Sequence, residues 1–152
     1  IEDKKVLLGV AAFWDKRKGL NDFVKLSKML DDDYKIVLVG LSEKQIKEVP
    51  DNIIKISRTN SAVELAEIYT AADVFLNLTY EDNYPTVNLE AQACGTPVIT
   101  YDTGGSVESV PEENVVECGD VNEVKTLLLT GLLPMHDICF DKKNCLKLYL
   151  DI

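Results

Sequence analysis

TYEDNYPTVNLEAQACGTPVITYDTGGS, from Thr79 to Ser106, sets two acidic residues, a proline turn, a third acidic residue on a predicted helix, an apolar strand and a Gly-Gly turn side by side. The helix is predicted to open at Pro85 or Thr86, where a proline lacking an N–H is tolerated, and to end near Gly95. Val98–Tyr101 is the strand that follows. Asn83 is expected to shape the turn, because Asn tolerates left-handed backbone. A loop entering a helix offers unpaired N–H groups and a partial positive charge to an anion. Carboxylates beside that point accept hydrogen bonds from sugar hydroxyls. The stretch therefore suits a phosphate-linked sugar.

Upstream, short apolar runs alternate with helical periodicity. Val6–Ala11, Lys35–Val39, Ile53–Ile56 and Asp73–Leu78 read as strands, and Asn114–Val116 as a short sixth. Asn21 is expected to cap a helix to about Leu30, with Phe23, Leu26, Met29 and Leu30 on one face. Ser42 caps a predicted short helix to about Val49, stopped by Pro50. Ser61 and Glu64 form a predicted capping box for a helix to about Thr70. Val121–Thr130 and Asp141–Tyr149 are the last predicted helices. This alternation means an α/β fold whose parallel sheet is covered on both faces. Right-handed crossovers then favour a Rossmann-like, doubly wound, six-stranded sheet in the order 3-2-1-4-5-6. Ligands in such sheets bind beyond the carboxyl ends of strands 1 and 4, where the order reverses. The loops leaving those strands are Ala12–Leu20 and Thr79–Thr86. With no repeat, linker or low-complexity segment, residues 1–152 read as one domain. The opening IEDKK, without Met, suggests a domain cut from a longer protein.

A net charge of −10, from 26 acids against 16 bases, argues against a nucleic-acid partner. The 46% hydrophobic content is enough for a buried core, so disorder is not expected. Four cysteines, at 94, 118, 139 and 145, have no C-x-x-C spacing, and His136 stands alone, so a zinc site is not expected. They read as cytosolic thiols, and the expected location is the cytoplasm. No apolar run reaches the roughly 18 residues of a membrane span. Asp31-Asp32-Asp33 precedes strand 2, at the amino edge of the sheet, and reads as a solvated turn. Gly104-Gly105 is a turn, and no GxGxxG follows strand 1, which argues against a dinucleotide-binding domain.

The loop after strand 1, AAFWDKRKGL, gathers Lys16, Arg17 and Lys18 just ahead of Gly19 and the first helix. A diphosphate there would need such cations. Together with EDNYPTVNLEAQACGTPVI, this loop resembles the C-terminal domain of GT-B-fold glycosyltransferases, specifically the retaining family 4 or group 1, whose members read roughly EGFGLPPLEAMACGTPVI. The resemblance runs from about Lys4 to Glu123. It implies a Rossmann-like donor-binding half of a longer enzyme. That enzyme would transfer a sugar, of hexosyl type, from a nucleotide diphosphate sugar with retention and without a required metal or other cofactor. The setting it implies is bacterial polysaccharide or glycoconjugate synthesis. An N-terminal domain outside this chain would bring the glycan or lipid-linked acceptor and any peripheral membrane contact, so this domain alone would be inactive.

Carried over by position, the family's diphosphate lysine falls on Lys18, before Gly19. The usual Gly-Arg at the end of strand 1 falls on Ala11–Ala12, so Arg17 or Lys16 would have to supply the second cation. This departure motivates the alternative of a degenerate, non-catalytic nucleotide-sugar-binding domain. The sugar-facing acid falls on Asp82 in an ungapped match, or on Glu81 if the loop carries a one-residue insertion. Glu90 would take the ribose hydroxyls. Pro85, Thr86 and Val87 would present helix N–H groups to the phosphates, beside Asn83, and Arg58 and Thr59 would flank the base.

Overall fold

Leu7 and Leu8 are both fully buried, and because successive strand residues point to opposite faces, this strand must be covered on both sides. The computed structural model describes residues 3–135 and shows how. β1 (Lys5–Val10), β2 (Tyr34–Val39), β3 (Ile54–Ile56), β4 (Val74–Asn77), β5 (Val98–Tyr101) and β6 (Val115–Val116) form one parallel sheet in the order β3-β2-β1-β4-β5-β6. The order reverses between β1 and β4, where Leu7 pairs with Val74 and Leu8 with Phe75. Among the described residues the α-helices are α1 (Leu20–Met29), α2 (Glu43–Glu48), α3 (Ala62–Ala71), α4 (Thr86–Ala93) and α5 (Val121–Thr130).

Two cores follow from the alternation. Leu7, Leu38 and Leu76 join Phe23 and Leu26 of α1 and Val124 and Leu128 of α5. Leu8, Val37 and Phe75 face the other way, onto Tyr69 of α3 and Ala91 of α4. Each such side chain, fully buried, contributes about 1.5–3 kcal/mol, which outweighs local propensity in strands as short as β4. Among the described residues no helix is long and apolar enough to cross a membrane. The predicted helix Asp141–Tyr149, His136, Cys139 and Cys145 lie outside the described residues.

Three local expectations are corrected. Asn21 does not cap α1: it lies inside the first turn, and the cap is Gly19, at φ 71°. Asp15 takes the capping role one turn earlier, its carboxylate accepting from the N–H groups of Arg17 and Lys18 across a 3₁₀ turn, Lys16–Lys18. Glu64 does not close its box on Ser61; its carboxylate accepts from the Asn60 N–H at 2.6 Å, while Ser61 Oγ accepts from the Glu64 N–H. Asn83 is not left-handed, since Asp3 is the one non-glycine with positive φ among the described residues. The Gly-Gly pair opens a 3₁₀ helix, Gly104–Ser109.

Candidate functional site

The loops after β1 and β4 meet through backbone contacts. Tyr80 N–H donates to the Arg17 carbonyl at 2.7 Å, and Thr79 Oγ1 bridges the Arg17 and Glu81 carbonyls. A Cβ on Gly19 would lie 2.0 Å from the Leu78 oxygen, so only glycine allows α1 to start this close to β4. The Gly-Gly turn has the same use on the other side. A Cβ on Gly104 would meet the Asp82 oxygen at 2.0 Å, and one on Gly105 the Asn83 oxygen at 1.9 Å. Gly105 N–H also donates to the Asp82 carbonyl. Asn83 thus shapes its loop through its main chain. On the β1 side, Trp14 is buried, donates from Nε1 to the Val39 carbonyl and accepts at its own carbonyl from Gln45 Nε2.

Three adjoining depressions run along this edge. The middle one, about 370 Å³, is lined by Ala11, Ala12, Arg17, Lys18, Asp82 and Pro85 among others. It shares Ala11, Ala12, Thr86 and Val87 with a second, about 700 Å³, which holds Arg58, Thr59 and Glu90. It shares Arg17, Lys18 and Asp82 with a third, about 590 Å³, which holds Glu81, Asn83, Thr103 and Gly104. Of the residues that sequence reasoning singled out for binding, all but Lys16 line one of these three depressions. The triple aspartate lies at the opposite edge, where Lys5 N–H, at the start of β1, donates to the Asp33 carbonyl.

Two of the cleft's cations, Lys18 and Arg17, are ion-paired. Lys18 Nζ stands 3.0 Å from Asp82 Oδ2, and both side chains are mostly shielded, 33% and 18% exposed. Arg17 grips Asp15 through Nε and a terminal nitrogen at 2.9 and 2.7 Å, and lies 3.7 Å from Glu81. Its guanidinium holds the Asp15 carboxyl below the usual range, aided by the Arg17 and Lys18 N–H groups, and Asp15 in turn holds Arg17 protonated. Glu90 accepts from the Tyr69 hydroxyl at 3.3 Å. Burial, then the Glu90 charge, pushes that phenol well up. Lys18 and Asp82 are therefore in direct contact, while Glu90 sits further along the cleft with a different partner.

α4 starts on Pro85 without a side-chain acceptor for its first N–H groups, so Thr86 and Val87, which line two depressions, open the positive end of the helix onto the cleft. Behind them lies a buried polar chain that sequence reasoning missed. Asn77 donates to Asn88, Asn88 to Ser109, and Gln92 to the Ser109 and Asn88 carbonyls. It ties β4, α4 and the 3₁₀ helix together. Its sequence signal was an asparagine closing the apolar run VFLN. A second missed cluster joins α1 to the same loop. The hydroxyls of Tyr80 and Tyr101 both donate to Asp22 Oδ2, at 2.6 and 2.9 Å.

The chain matches the family model described as glycosyl transferases group 1 over residues 1–129. It is 27% identical over 114 residues to N,N'-diacetylbacillosaminyl-diphospho-undecaprenol alpha-1,3-N-acetylgalactosaminyltransferase of Campylobacter jejuni, covering 72% of this chain and 30% of that protein. It is 29% identical over 112 residues to alpha-galactosylglucosyldiacylglycerol synthase of Streptococcus pneumoniae, covering 67% and 30%. Among solved structures, sucrose-phosphate synthase from Thermosynechococcus elongatus superposes with a TM-score of 0.73 at 26% identity, over 84% of this chain and 36% of that one. This chain thus spans about a third of the length of these relatives.

Proposed function

This chain belongs to the group 1 glycosyl transferases, and from that premise we propose that it is the donor-binding domain of an enzyme transferring a hexosyl group from a nucleotide diphosphate sugar with retention. The observation that carries the proposal is the order of groups along the cleft. Arg58, Thr59 and Glu90 occupy one end, Lys18 and the open start of α4 the middle, and Glu81 and Asp82 the other end. Base and ribose, diphosphate, and sugar follow one another in the same sequence in such a donor.

In this reading Lys18 and the Thr86 and Val87 N–H groups hold the diphosphate and stabilise the charge that gathers on it as the sugar departs. Glu81 and Asp82 accept from sugar hydroxyls, and Glu90 from the ribose. No metal or other cofactor is required. The acceptor, a glycan or lipid-linked sugar, is handled outside this chain, and the whole protein serves bacterial polysaccharide or glycoconjugate synthesis in the cytoplasm or at the membrane face. The relatives' names, with undecaprenol in one and diacylglycerol in the other, support an acceptor of the lipid-linked class. This chain alone binds donor and turns over little or nothing.

One observation favours a second reading, a non-catalytic nucleotide-sugar-binding domain. Ala11 and Ala12 line the cleft where the family carries an arginine, and Arg17 is engaged by Asp15. Calorimetric titration of nucleoside diphosphates into the wild type and Lys18→Ala, with and without chelator, tests the site. Hydrogen bonds to charged groups contribute about 1.5–3 kcal/mol, so the variant should bind about tenfold or more weakly. The chelator should change nothing. Equal affinity in the variant, or loss of binding with chelator, overturns the assignment. Turnover by the full-length protein, set against none, separates the catalytic from the degenerate reading.

A further inference from the structure

Resting on that donor-site reading, we infer that Asp82 makes the Lys18 subsite discriminate between the donor and the bare nucleoside diphosphate, so that the spent nucleotide is expelled. The carboxylate stands 3.0 Å from the Lys18 ammonium, and both groups are largely shielded from water. The backbone that carries it is tied to the Gly-Gly pair: the Asp82 carbonyl accepts from Gly105 N–H, and Gly104 packs so close that a Cβ there would lie 2.0 Å from the same oxygen. Any phosphate that reaches Lys18 therefore arrives beside a negative charge.

Donor and product differ at that point. In a nucleotide sugar the distal phosphate is joined to the sugar by an ester and to its neighbour by an anhydride, and carries one negative charge. Transfer breaks the bond between the sugar C1 and the phosphate oxygen, and a bond forms from C1 to the acceptor oxygen. The electron pair stays on the phosphate, and the acceptor hydroxyl releases its proton to solvent. The distal phosphate is now terminal, held only through its anhydride bond, and its second ionisation falls near pH 6, so at neutral pH it carries almost one charge more. Asp82 repels that added charge. It has no such quarrel with the donor, whose hydroxyls can donate to Oδ1 while Oδ2 keeps Lys18.

The test uses this chain and three probes of one nucleotide: the nucleoside diphosphate, its distal methyl ester and the nucleotide glucose. Uridine, guanosine and adenosine diphosphates are screened first, and the tightest binder sets the series. The methyl ester has the donor's charge without a sugar, which separates repulsion from sugar contact. In Asp82→Asn the diphosphate should tighten about fivefold more than the methyl ester, the size expected for one added unit charge at about 5 Å under water-like screening, which sets the lower limit. The nucleotide glucose should not tighten. Asp82→Ser should repeat the result, Asp82→Glu should restore the wild-type order, and added salt should narrow the differences.

Equal shifts for diphosphate and methyl ester would overturn the inference, as would weakened nucleotide glucose with an unchanged diphosphate, which makes Asp82 a sugar contact only. Asp82→Glu behaving like Asp82→Asn would overturn it too. A wild type that binds none of the diphosphates would instead sink the donor-site reading, and the inference with it.

Discussion

The five α-helices among the described residues start in two ways. α2, α3 and α5 begin on Ser42, Ser61 and Asp120, whose side chains accept from the first turn. α1 and α4 begin on Gly19 and Pro85, with no side-chain acceptor. All five are entered from the carboxyl edge of a parallel sheet, so location alone does not explain the division. The capped starts follow β2, β3 and β6, and the open ones follow β1 and β4, where the strand order reverses. A missing cap costs about 1 kcal/mol. Here the cost is met by backbone packing, Gly19 on Leu78 and the 82–83 backbone on the Gly-Gly turn. Three helix starts are completed by their own side chains, and the two at the reversal point are not.

Gly19→Ala should break this arrangement most severely. Left-handed backbone costs an alanine about 1–2 kcal/mol, and here the new Cβ would also strike the Leu78 oxygen at 2.0 Å. The expected loss is about 3 kcal/mol or more by denaturant unfolding, with loss of diphosphate binding. Gly131→Ala is the control. It has similar φ, 65°, but open space around it, so only the backbone cost of about 1–2 kcal/mol should appear. Equal losses at the two positions would show that contact with β4 does not hold the open start.

The capped starts should give a smaller, purely structural effect. Ser42→Ala, Ser61→Ala and Asp120→Ala should each cost about 1 kcal/mol and leave diphosphate affinity unchanged. Ser42→Ala should cost most, because Ser42 Oγ both accepts from Gln45 N–H and donates to Gln45 Oε1, so two bonds are lost. Ser61→Ala should cost least, because Glu64 already secures the Asn60 N–H. A large loss of affinity in any of the three would erase the distinction between open and capped ends.

The same distinction marks what the sequence made legible. Strand order and the capped starts rest on local signals: VLLGV and KIVLV declare strands buried on both faces, and Ser42 declares a helix start three residues ahead of its Gln. The open start of α1 misled, because Asn21 is a good cap by residue type. The governing facts were Asp15, which caps the preceding turn, and a glycine pressed against a carbonyl 59 residues away in the chain. Gly104-Gly105 was legible as a turn but not as a seat for Asp82 and Asn83. The Lys18–Asp82 pair joins loops separated by 64 residues. Sequence placed both at one sheet edge, but only packing sets the 3.0 Å between them.

The smallest expected effect tests how the open start of α1 is tied to the loop after β4. Asp22 lies in the first turn of α1, and its Oδ2 accepts from Tyr80 on that loop and from Tyr101 at the end of β5. The hydrogen bond to Asp22, more than the modest burial, pushes the Tyr80 phenol up to about 12. Tyr101 is raised too, chiefly by burial and then by Asp22. A phenol whose folded value is raised stabilises the fold fully below its unfolded value, near 10. That contribution is lost as pH rises through the folded value. In Asp22→Asn the Tyr80 transition, followed by tyrosinate absorbance, should fall back toward about 10. The gap in melting temperature between wild type and variant should stay constant from about pH 7 to about pH 9, then shrink across the window from about 10 to about 12 set by the two values. Asp22 lines none of the three depressions, so diphosphate affinity should change only through the placement of the loop and less than in Lys18→Ala. If the Tyr80 transition stays near 12 in the variant, the Asp22 carboxylate is not what raises it, and this tie between the two open-start loops is weaker than its 2.6 Å hydrogen bond suggests.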